Sequence, residues 1–422
     1  MKKIIVTLIA FTAVSGFAQQ RTCGTMDKVN LLKATVPGFE AHHNEVMNYI
    51  QNPDNAQART IFNRGGDNNT PNVVVTIPVV FHVLYKNAAQ NISDAQINSQ
   101  LAVLNADYRK LNADFNTVVP SVFRPLGADV EITFCKATRT PAGATSTGIT
   151  RKSVSSSFVF ENSYYLAAGE PAWDPTKYLN IWIGRFTDDQ LLGFAYLPSN
   201  AGQADDGLCI GDQYFGTTGT ATAPFNKGRT GTHEIGHYFG LLHPWGDDGS
   251  PCGSGANSDG VADTPATDNP YFNCPSFPSN ANACTNTTNG SMFMNYMDYV
   301  NDACMAFFTA GQKTIMQNTL AGPRLSLLTS NGCATLGLSD FEAMNAISVY
   351  PNPVSQYFMI TSPQSQIDEV EIFNNIGQLV KTQKLTSQTN NVVNIDGLAS
   401  GTYYLRIYNE GKLLKSDKII KK

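Results

Sequence analysis

Three histidines and one glutamate lie within eleven residues of this chain, in the segment His233-Glu234-Ile-Gly-His237-Tyr-Phe-Gly240-Leu-Leu-His243. His233 and His237 are four positions apart, so on a helix both imidazoles project from one face and can bind one zinc ion. Glu234 could take a proton from a metal-bound water that attacks a carbonyl carbon. Gly240 allows a sharp turn, because a residue without a Cβ adopts left-handed backbone angles easily. His243 then completes a three-histidine site whose fourth position stays open for water.

This spacing is the extended signature of zinc metallopeptidases. The short form, His-Glu-x-x-His, also arises by chance on helices, but three of the chain's six histidines fall in this one run. The segment therefore predicts a zinc endopeptidase. The alternative is a secreted binding or adhesion protein that keeps the scaffold without using the site. Such a protein would be expected to have lost Glu234 or a histidine, and none is lost.

A second segment downstream, Ser291-Met-Phe-Met-Asn-Tyr-Met297-Asp-Tyr299, resembles the methionine turn that follows the zinc helix in metzincins. The resemblance gives Met297 the place beneath the metal. Tyr299, two positions later, could donate a hydrogen bond from its phenol to the oxyanion of the reaction. The alternative is that the methionines only fill a core.

Both segments and the residues between them resemble the bacterial branch of the pappalysin family of metzincins, and the resemblance extends over roughly residues 75 to 333. The resemblance rests on Pro244-Trp-Gly after His243, Asp259-Gly-Val-Ala-Asp263-Thr264-Pro, Asn295-Tyr-Met-Asp-Tyr, Cys304-Met and Phe307-Phe-Thr-Ala-Gly-Gln. It implies an α+β domain with a twisted sheet and the zinc helix in an upper half, above an irregular lower half. An astacin-like or matrix-metalloprotease-like peptidase fits the residues after His243 less well.

The family resemblance also implies where a peptide substrate binds. In metzincins a strand at the cleft rim pairs antiparallel with the substrate backbone. Its place here is taken by Gly193, Phe194, Ala195 and Tyr196, which could also be a purely structural edge. Bacterial pappalysins often favour arginine at the first primed position through an acidic group near the methionine turn, and Asp302 is the candidate for that group.

Eight cysteines after an export signal predict an oxidising compartment and disulfides. Four of them cluster in the lower half, and four cysteines allow three pairings. The resemblance implies the interleaved pairs Cys252–Cys284 and Cys274–Cys304. Cys135, Cys209 and Cys333 remain unassigned.

Cys23 lies in a polar region too short to hold a core. Thiolate sulfur is a strong zinc ligand, so a cysteine ahead of the catalytic domain can fill the open fourth position. This arrangement resembles pappalysin-like zymogens, and it predicts that Cys23 binds zinc in a latent precursor. The alternative is a disulfide from Cys23 to one of the unassigned cysteines.

Carboxylates, glycines and hydroxyls are dense at 247–250 and 259–268, and calcium prefers such oxygen ligands. Family members hold calcium in this part, so Asp259, Asp263 and Thr264 are candidate ligands of a structural calcium ion. No EF-hand loop is present, and a solvated acidic loop is the alternative.

The chain begins with Lys2 and Lys3, an apolar run and a small-residue exit at Ala18, which predict a signal peptide and export to the periplasm. No other apolar stretch is long enough to span a bilayer. A net charge of −5 argues against nucleic acid as a partner. The domains predicted are a signal peptide at 1–18, a prosegment at 19–60, a catalytic domain at 61–333, a linker at 334–345 and a last domain at 346–422.

Within these domains the residue pattern predicts helices at 39–51 and 93–111, strands at 73–85, 130–135 and 179–185, and a polar linker over 52–72. In the last domain, alternating strands separated by turns predict an all-β sandwich. Its Tyr350-Pro-Asn-Pro, Asn374-x-x-Gly-Gln, Leu398-x-x-Gly-x-Tyr and lysine-rich end resemble the sorting domain of the Bacteroidetes type IX secretion system. That resemblance implies the type IX machinery as a partner and a secreted or surface-attached product. The alternative is a carbohydrate-binding or adhesive module.

Overall fold

The computed structural model describes residues 20–62, 73–246, 252, 259–334, 347–362, 366–385, 391–409 and 411–422. The chain divides into two compact units, Met1–Ala334 and Thr335–Lys422. The first combines a mixed sheet with helices, and the second is built from strands, so the predicted α+β class is confirmed.

The sheet of the first unit has seven strands in the order β1-β6-β7-β5-β2-β3, with β4 also pairing with β2. The strands are β1 (Thr22–Cys23), β2 (Val75–Tyr85), β3 (Ile132–Lys136), β4 (Ile149–Ser153), β5 (Leu179–Gly184), β6 (Leu191–Ala195) and β7 (Leu208–Gly211). Only the β6–β7 pair is antiparallel among these strands. Every residue of β5 and β7 is buried. Strands covered on both faces read as continuous apolar runs, which explains why β5 was predictable from sequence.

Helices cover this sheet, and one of them, α7, carries His233 and His237. They are α1 (Thr25–Thr35), α2 (Phe39–Ile50), α3 (Ala56–Ile61), α4 (Asp94–Asp107), α5 (Phe115–Val118), α6 (Phe160–Ser163), α7 (Arg229–Tyr238) and α8 (Ala310–Ala321). Ser93 caps α4 by accepting from the Gln96 backbone N–H at 3.2 Å. After α4, the Tyr108 hydroxyl donates to the Thr232 carbonyl of α7 at 3.1 Å. This contact holds the histidine-bearing helix against α4.

The predicted linker over 52–72 is wrong in its first part, because α3 forms there. The Asn55 side chain caps α3 by accepting from Ala58 N–H at 3.1 Å. Ala58 and Phe62 are fully buried, and Phe62 belongs to the main core. Two apolar residues four positions apart were enough to bury one face of a short helix. Residues 63–72 lie outside the described part of the chain.

Disulfides hold the region between α7 and α8, in which the described residues form turns, isolated β-bridges and a short 3-10 helix, Asp302–Cys304. The structure joins Cys252 to Cys284 and Cys274 to Cys304, the pairs that the family resemblance implies. A third disulfide, Cys135–Cys333, joins β3 to the end of the unit. Cys23 and Cys209 are free thiols.

The second unit is a sandwich of two antiparallel sheets. Its strands are β8 (Ser348–Tyr350), β9 (Tyr357–Thr361), β10 (Glu369–Phe373), β11 (Leu379–Lys384), β12 (Val392–Asn394), β13 (Gly401–Asn409) and β14 (Lys412–Lys421). The sheets run β11-β10-β13-β14 and β12-β9-β8. Alternate residues of β13, such as Leu405 and Ile407, point into a core that they share with Phe358 and Val370. This period of two is the pattern that predicts strands here.

Candidate metal centre

The three histidines converge at the end of α7. His233 and His237 project from the helix, and Gly240, at φ 93°, turns the chain so that His243 returns to them. The Nε2 atoms are separated by 3.2 Å between His233 and His237, 3.0 Å between His237 and His243, and 3.3 Å between His233 and His243. All three rings are buried.

The hydrogen bonds of the rings fit a metal at their centre. His233 Nδ1 lies 2.8 Å from the Tyr296 carbonyl oxygen, and His237 Nδ1 lies 2.7 Å from that of Leu241. A carbonyl only accepts, so each Nδ1 carries the hydrogen and each Nε2 presents a lone pair. Nitrogen ligands at 2.0–2.1 Å from a tetrahedral zinc lie about 3.3 Å apart. The cluster therefore has the donor type and the spacing of a zinc site.

Glu234 lies next to His233 and faces the cleft. Its Oε2 accepts from the Cys23 thiol at 3.3 Å and from the Thr25 hydroxyl at 3.4 Å. Burial raises the pKa of this carboxyl to about 8. The rim strand passes close by, because a Cβ added at Gly193 would lie 2.9 Å from Glu234 Cγ and Oε1. Only glycine fits beside the glutamate in this arrangement.

Met297 and Tyr299 lie on two sides of the histidine cluster. Met297 is fully buried under α7, where its sulfur would be 2.5 Å from a Cβ at Gly236. The Tyr299 ring lies 4.9 Å from that of His243, and its hydroxyl accepts from the Cys23 backbone N–H at 3.2 Å.

Trp245 is a neighbour that the sequence reasoning did not single out as a site residue. Its ring stacks on His243 at 4.4 Å between centroids and 7° between planes, and it meets the Tyr299 ring edge-on at 4.8 Å. Its position two residues after a ligand was the available signal.

The N-terminal segment occupies the cleft. β1 pairs with the rim strand β6 in parallel, and Gly24 N–H donates to the Gly193 carbonyl at 3.0 Å. The ligand atoms of Cys23 and the three histidines all lie within 4.8 Å of one another. Cys23 is a free thiol in the structure, so the alternative prediction, a disulfide at this residue, is wrong.

Asp302 is brought to the same cleft, where it pairs with an arginine that the sequence reasoning missed. Arg21 Nη2 lies 2.6 Å from Asp302 Oδ1, and both side chains are buried. The guanidinium also lies 5.0 Å above the ring of Phe225. Asp302 Oδ2 accepts from the backbone N–H of Lys227 at 2.8 Å. The only signal for Arg21 in the sequence was its position two residues before Cys23.

The other predicted rim residues face in different directions. Phe194 and Tyr196 point away from the cleft edge into a cluster with Trp182 and Tyr164. Ala195 N–H donates to the Thr25 hydroxyl at 2.9 Å. The backbone of the rim strand is therefore what meets the N-terminal segment.

The calcium candidates are only partly brought together. The Thr264 hydroxyl donates to Asp259 Oδ2 at 2.7 Å, whereas Asp263 Oδ2 accepts from Gly311 N–H at 2.9 Å. Burial raises the pKa of Asp259 to about 7. Among the described residues, Asp263 Oδ1, Thr267 Oγ1 and Asp268 Oδ1 are buried without a hydrogen-bond partner. The predicted acidic stretch 247–250 lies outside the described residues.

Both units match known families. The sequence profile described as pregnancy-associated plasma protein-A matches residues 165–321, and the profile described as a secretion system C-terminal sorting domain matches 348–422. An extracellular metalloprotease of Arthroderma benhamiae is 31% identical over 243 residues, which span 56% of this chain and 74% of the fungal protein. A second one, from Arthroderma gypseum, is 29% identical over 308 residues, covering 72% of this chain and 85% of that protein.

Two solved structures from Tannerella forsythia are also similar. A mutant of promirolysin is 40% identical with a TM-score of 0.65, covering 75% of this chain and all (100%) of that one. Mature mirolysin in complex with a cleaved peptide is 46% identical with a TM-score of 0.57, covering 61% of this chain and 97% of that one.

In the part of the chain that the structure describes, no helix is long and apolar enough to cross a membrane. The histidine cluster, the two matched profiles and the relatives agree with one another. The chain belongs to the pappalysin family, as a secreted or surface-attached zinc metalloendopeptidase that carries a type IX C-terminal sorting domain.

Proposed function

We propose that this enzyme is made as a latent precursor, that Glu234 is its general base, and that it cuts peptide bonds before arginine. One observation carries the proposal. The segment Arg21-Thr22-Cys23 lies along the rim strand with its thiol at the histidine cluster and its guanidinium on Asp302. The chain's own N-terminal segment thus fills the cleft that a substrate needs.

The chemistry follows from the side chains at the cluster. Zinc held by His233, His237 and His243 would supply a Lewis acid that polarises a water and a carbonyl oxygen. A Glu234 carboxylate oxygen takes a proton from the attacking water and delivers it to the amine nitrogen as the C–N bond breaks. The Tyr299 hydroxyl, which now meets the Cys23 backbone N–H, donates to the carbonyl oxygen as that oxygen gains charge.

The direction of the N-terminal segment accounts for its resistance to cleavage. It runs parallel to β6, whereas a substrate that extends a rim strand in this family runs antiparallel. A reversed chain does not present its carbonyl groups to Glu234 as a substrate does. It presents the Cys23 sulfur instead, and a zinc ion held by three histidines and Cys23 would have no position left for water. Latency therefore ends when the prosegment at 19–60 is removed.

The arginine preference follows from the burial of Asp302. An isolated carboxylate is costly to bury, and a guanidinium satisfies it with charge-assisted hydrogen bonds. Arg21 does this in the latent state, over the face of Phe225. When Arg21 leaves, the arginine side chain of a substrate takes the same pocket at the first primed position.

The lower half supports a structural calcium ion as a further part of the proposal. Asp263, Thr267 and Asp268 each bury an oxygen with no hydrogen-bond partner among the described residues. Unpaired buried oxygens are unfavourable, and calcium binds such groups. Asp259 and Thr264, two of the candidate ligands, lie in the same loop and are hydrogen-bonded to each other.

Matched peptides that differ only at the first primed position test the function. The processed, zinc-loaded enzyme should hydrolyse the arginine peptide with a kcat/KM roughly 100-fold above that of the glutamine peptide. Asp302→Asn keeps the shape of the pocket and should remove most of this preference. Absence of cleavage of any peptide would overturn the peptidase function, and equal cleavage of all would overturn the pocket assignment alone.

A further inference from the structure

Helix α1 covers an apolar surface at one end of the cleft. Val29 of this helix and Leu197, which follows the rim strand, are 3% and 1% exposed and belong to one cluster. The remaining members are Met26, Leu32, Phe39 and Leu242. Leu242 directly precedes the third histidine, so one member of the cluster is the chain neighbour of a residue of the metal centre.

The N-terminal segment also contacts side chains of the rim strand itself. Lys28 Nζ lies 4.4 Å above the ring of Phe194, and Leu32 packs against the cluster that contains Phe194. A Cβ at Gly24 would lie 3.3 Å from Leu191 Cδ1. Removal of the N-terminal segment therefore uncovers Leu191 at one end of the rim strand and Leu197 and Leu242 at the other.

The direction of the chain fixes which side of a substrate meets this row. Thr22 pairs with Leu191 and Cys23 with Gly193, while Thr25 meets the Ala195 N–H. Arg21 and Asp302 therefore mark the Leu191 end as the primed end. An antiparallel substrate places the residues before its scissile bond at the other end, toward Leu197.

The distance along the strand gives the substrate positions. Leu197 is four residues beyond Gly193, the partner of Cys23. At about 3.3 Å per residue this is about 13 Å, so Leu197 and Leu242 lie beside substrate residues roughly two to four positions before the cut. Alternate side chains of an added strand point to the surface, and pockets there give selectivity.

We propose that the surface under α1 is the non-primed binding site of the processed enzyme and that it accepts aliphatic side chains of the substrate. This inference rests on the proposed function, because it uses the same cleft and the same strand direction. Val29 and Met26 occupy the surface in the latent state as aliphatic side chains of a substrate occupy it later. Burial of an apolar side chain there lowers the free energy of the bound state because apolar area leaves water.

A peptide series on the unsubstituted, processed enzyme tests the inference. All peptides carry arginine at the first primed position and differ only two or three residues before the cut, with leucine, asparagine or aspartate. We expect kcat/KM for leucine to exceed that for asparagine by about tenfold, a typical discrimination by an apolar pocket. Aspartate should be poorer than asparagine, since it would bury a charge.

Two variants separate this surface from the arginine pocket. Leu242→Ser should bring the leucine-to-asparagine ratio close to one while the arginine preference stays. Leu111→Ser makes the same change at a leucine that is 72% exposed and not in the cleft, and it should leave both ratios unchanged. If Leu242→Ser fails to fold, the peptide series on the unsubstituted enzyme still decides.

Each outcome has a distinct meaning. A kcat/KM about tenfold higher for the leucine peptide than for the asparagine peptide supports the inference. Equal cleavage of the whole series, or a preference for asparagine, contradicts it and leaves the peptidase function intact. Failure to cleave any arginine peptide contradicts the proposed function itself.

Discussion

At the scale of single residues, the metal centre is held by contacts that restrict residue type. Gly236 admits the sulfur of Met297 under the zinc helix, and Gly193 admits the Glu234 carboxylate beside the rim strand. Trp245 stacks on His243 and meets the Tyr299 ring. These contacts fix the orientation of the histidines and of the groups that we propose to move protons.

Glu234→Ala and His243→Ala should separate proton transfer from metal binding. The first variant keeps all three histidines, so it should retain zinc after dialysis while kcat/KM falls roughly 100- to 10,000-fold for want of a general base. The second should lose zinc, because only two of the three histidine ligands remain to hold the metal. Metal analysis beside peptide hydrolysis distinguishes them, with Glu369→Ala in the second unit as control. Hydrolysis retained by Glu234→Ala would remove the glutamate from the mechanism.

Gly193→Ala should lower activity without lowering zinc content. The added Cβ would meet Glu234 Cγ and the Cys209 carbonyl, each at 2.9 Å, and would push the carboxylate from its position. We expect at least about tenfold lower kcat, since a small displacement of a catalytic group is costly. Gly397→Ala, where a Cβ meets nothing within 4 Å, is the matched control. Unchanged kcat in both variants would contradict the close approach.

The sequence made the three histidines and Glu234 predictable because they are local: their spacing on one helix and one turn defines the cluster. Arg21 and Trp245 were not predictable in the same way. The importance of Arg21 depends on Asp302, 281 residues later, and that of Trp245 depends in part on the distant Tyr299 ring. A single charged or aromatic residue has no periodicity that reveals such a partner.

At the scale of elements, the N-terminal segment docks through α1 and α2 as well as through Cys23. Ile50, at the end of α2, is fully buried and would lie 2.4 Å from a Cβ at Gly240, the turn between the second and third histidines. The Asn318 side chain of α8 donates to the Ile50 carbonyl at 2.7 Å. Helix α1 was not predicted, and its burial depends on Leu197 and Leu242, which no local pattern indicates.

The docking of α2 should weaken in acid through His43. This residue is 7% exposed, lies 3.0 Å from the Ser199 hydroxyl, and has its pKa lowered to about 4 by burial and by the nearby Lys33 and His42. A histidine in the unfolded chain titrates near 6.5, so the unfolded state binds the proton first and stability falls as the pH drops from about 6.5 toward 4. From pH 7 to pH 5 this one residue should remove about 1 to 2 kcal/mol.

Urea unfolding of the precursor measures this effect. The precursor carries Glu234→Ala so that it stays intact. Its free energy of unfolding is compared at pH 7 and pH 5 with that of the same protein carrying His43→Gln. Other groups that titrate contribute equally to both proteins, so the difference isolates His43. An identical loss of stability in both would show that His43 is not held neutral.

At the scale of the whole molecule, two units with different patterns were separable from the sequence. The apolar runs of β2 and β5 predicted these strands where they form, and the period of two in β9, β10 and β13 agrees with the all-β sandwich predicted for the last domain. The polar strand β11, whose residues are largely exposed, was not predicted, because its pairing with β10 and not its own composition makes it a strand. The boundaries of the prosegment at 19–60 and of the catalytic domain at 61–333 remain predictions.

The coordination of zinc in the intact precursor tests the central claim most directly, that the N-terminal segment blocks the metal. X-ray absorption at the zinc edge should detect one sulfur at about 2.3 Å with nitrogen ligands at about 2.0 Å in the Glu234→Ala precursor. The sulfur should disappear in the precursor that also carries Cys23→Ser, and after removal of the prosegment at 19–60. Zinc bound only by nitrogen and oxygen in the intact precursor would contradict the account and leave steric blockage as the cause of latency.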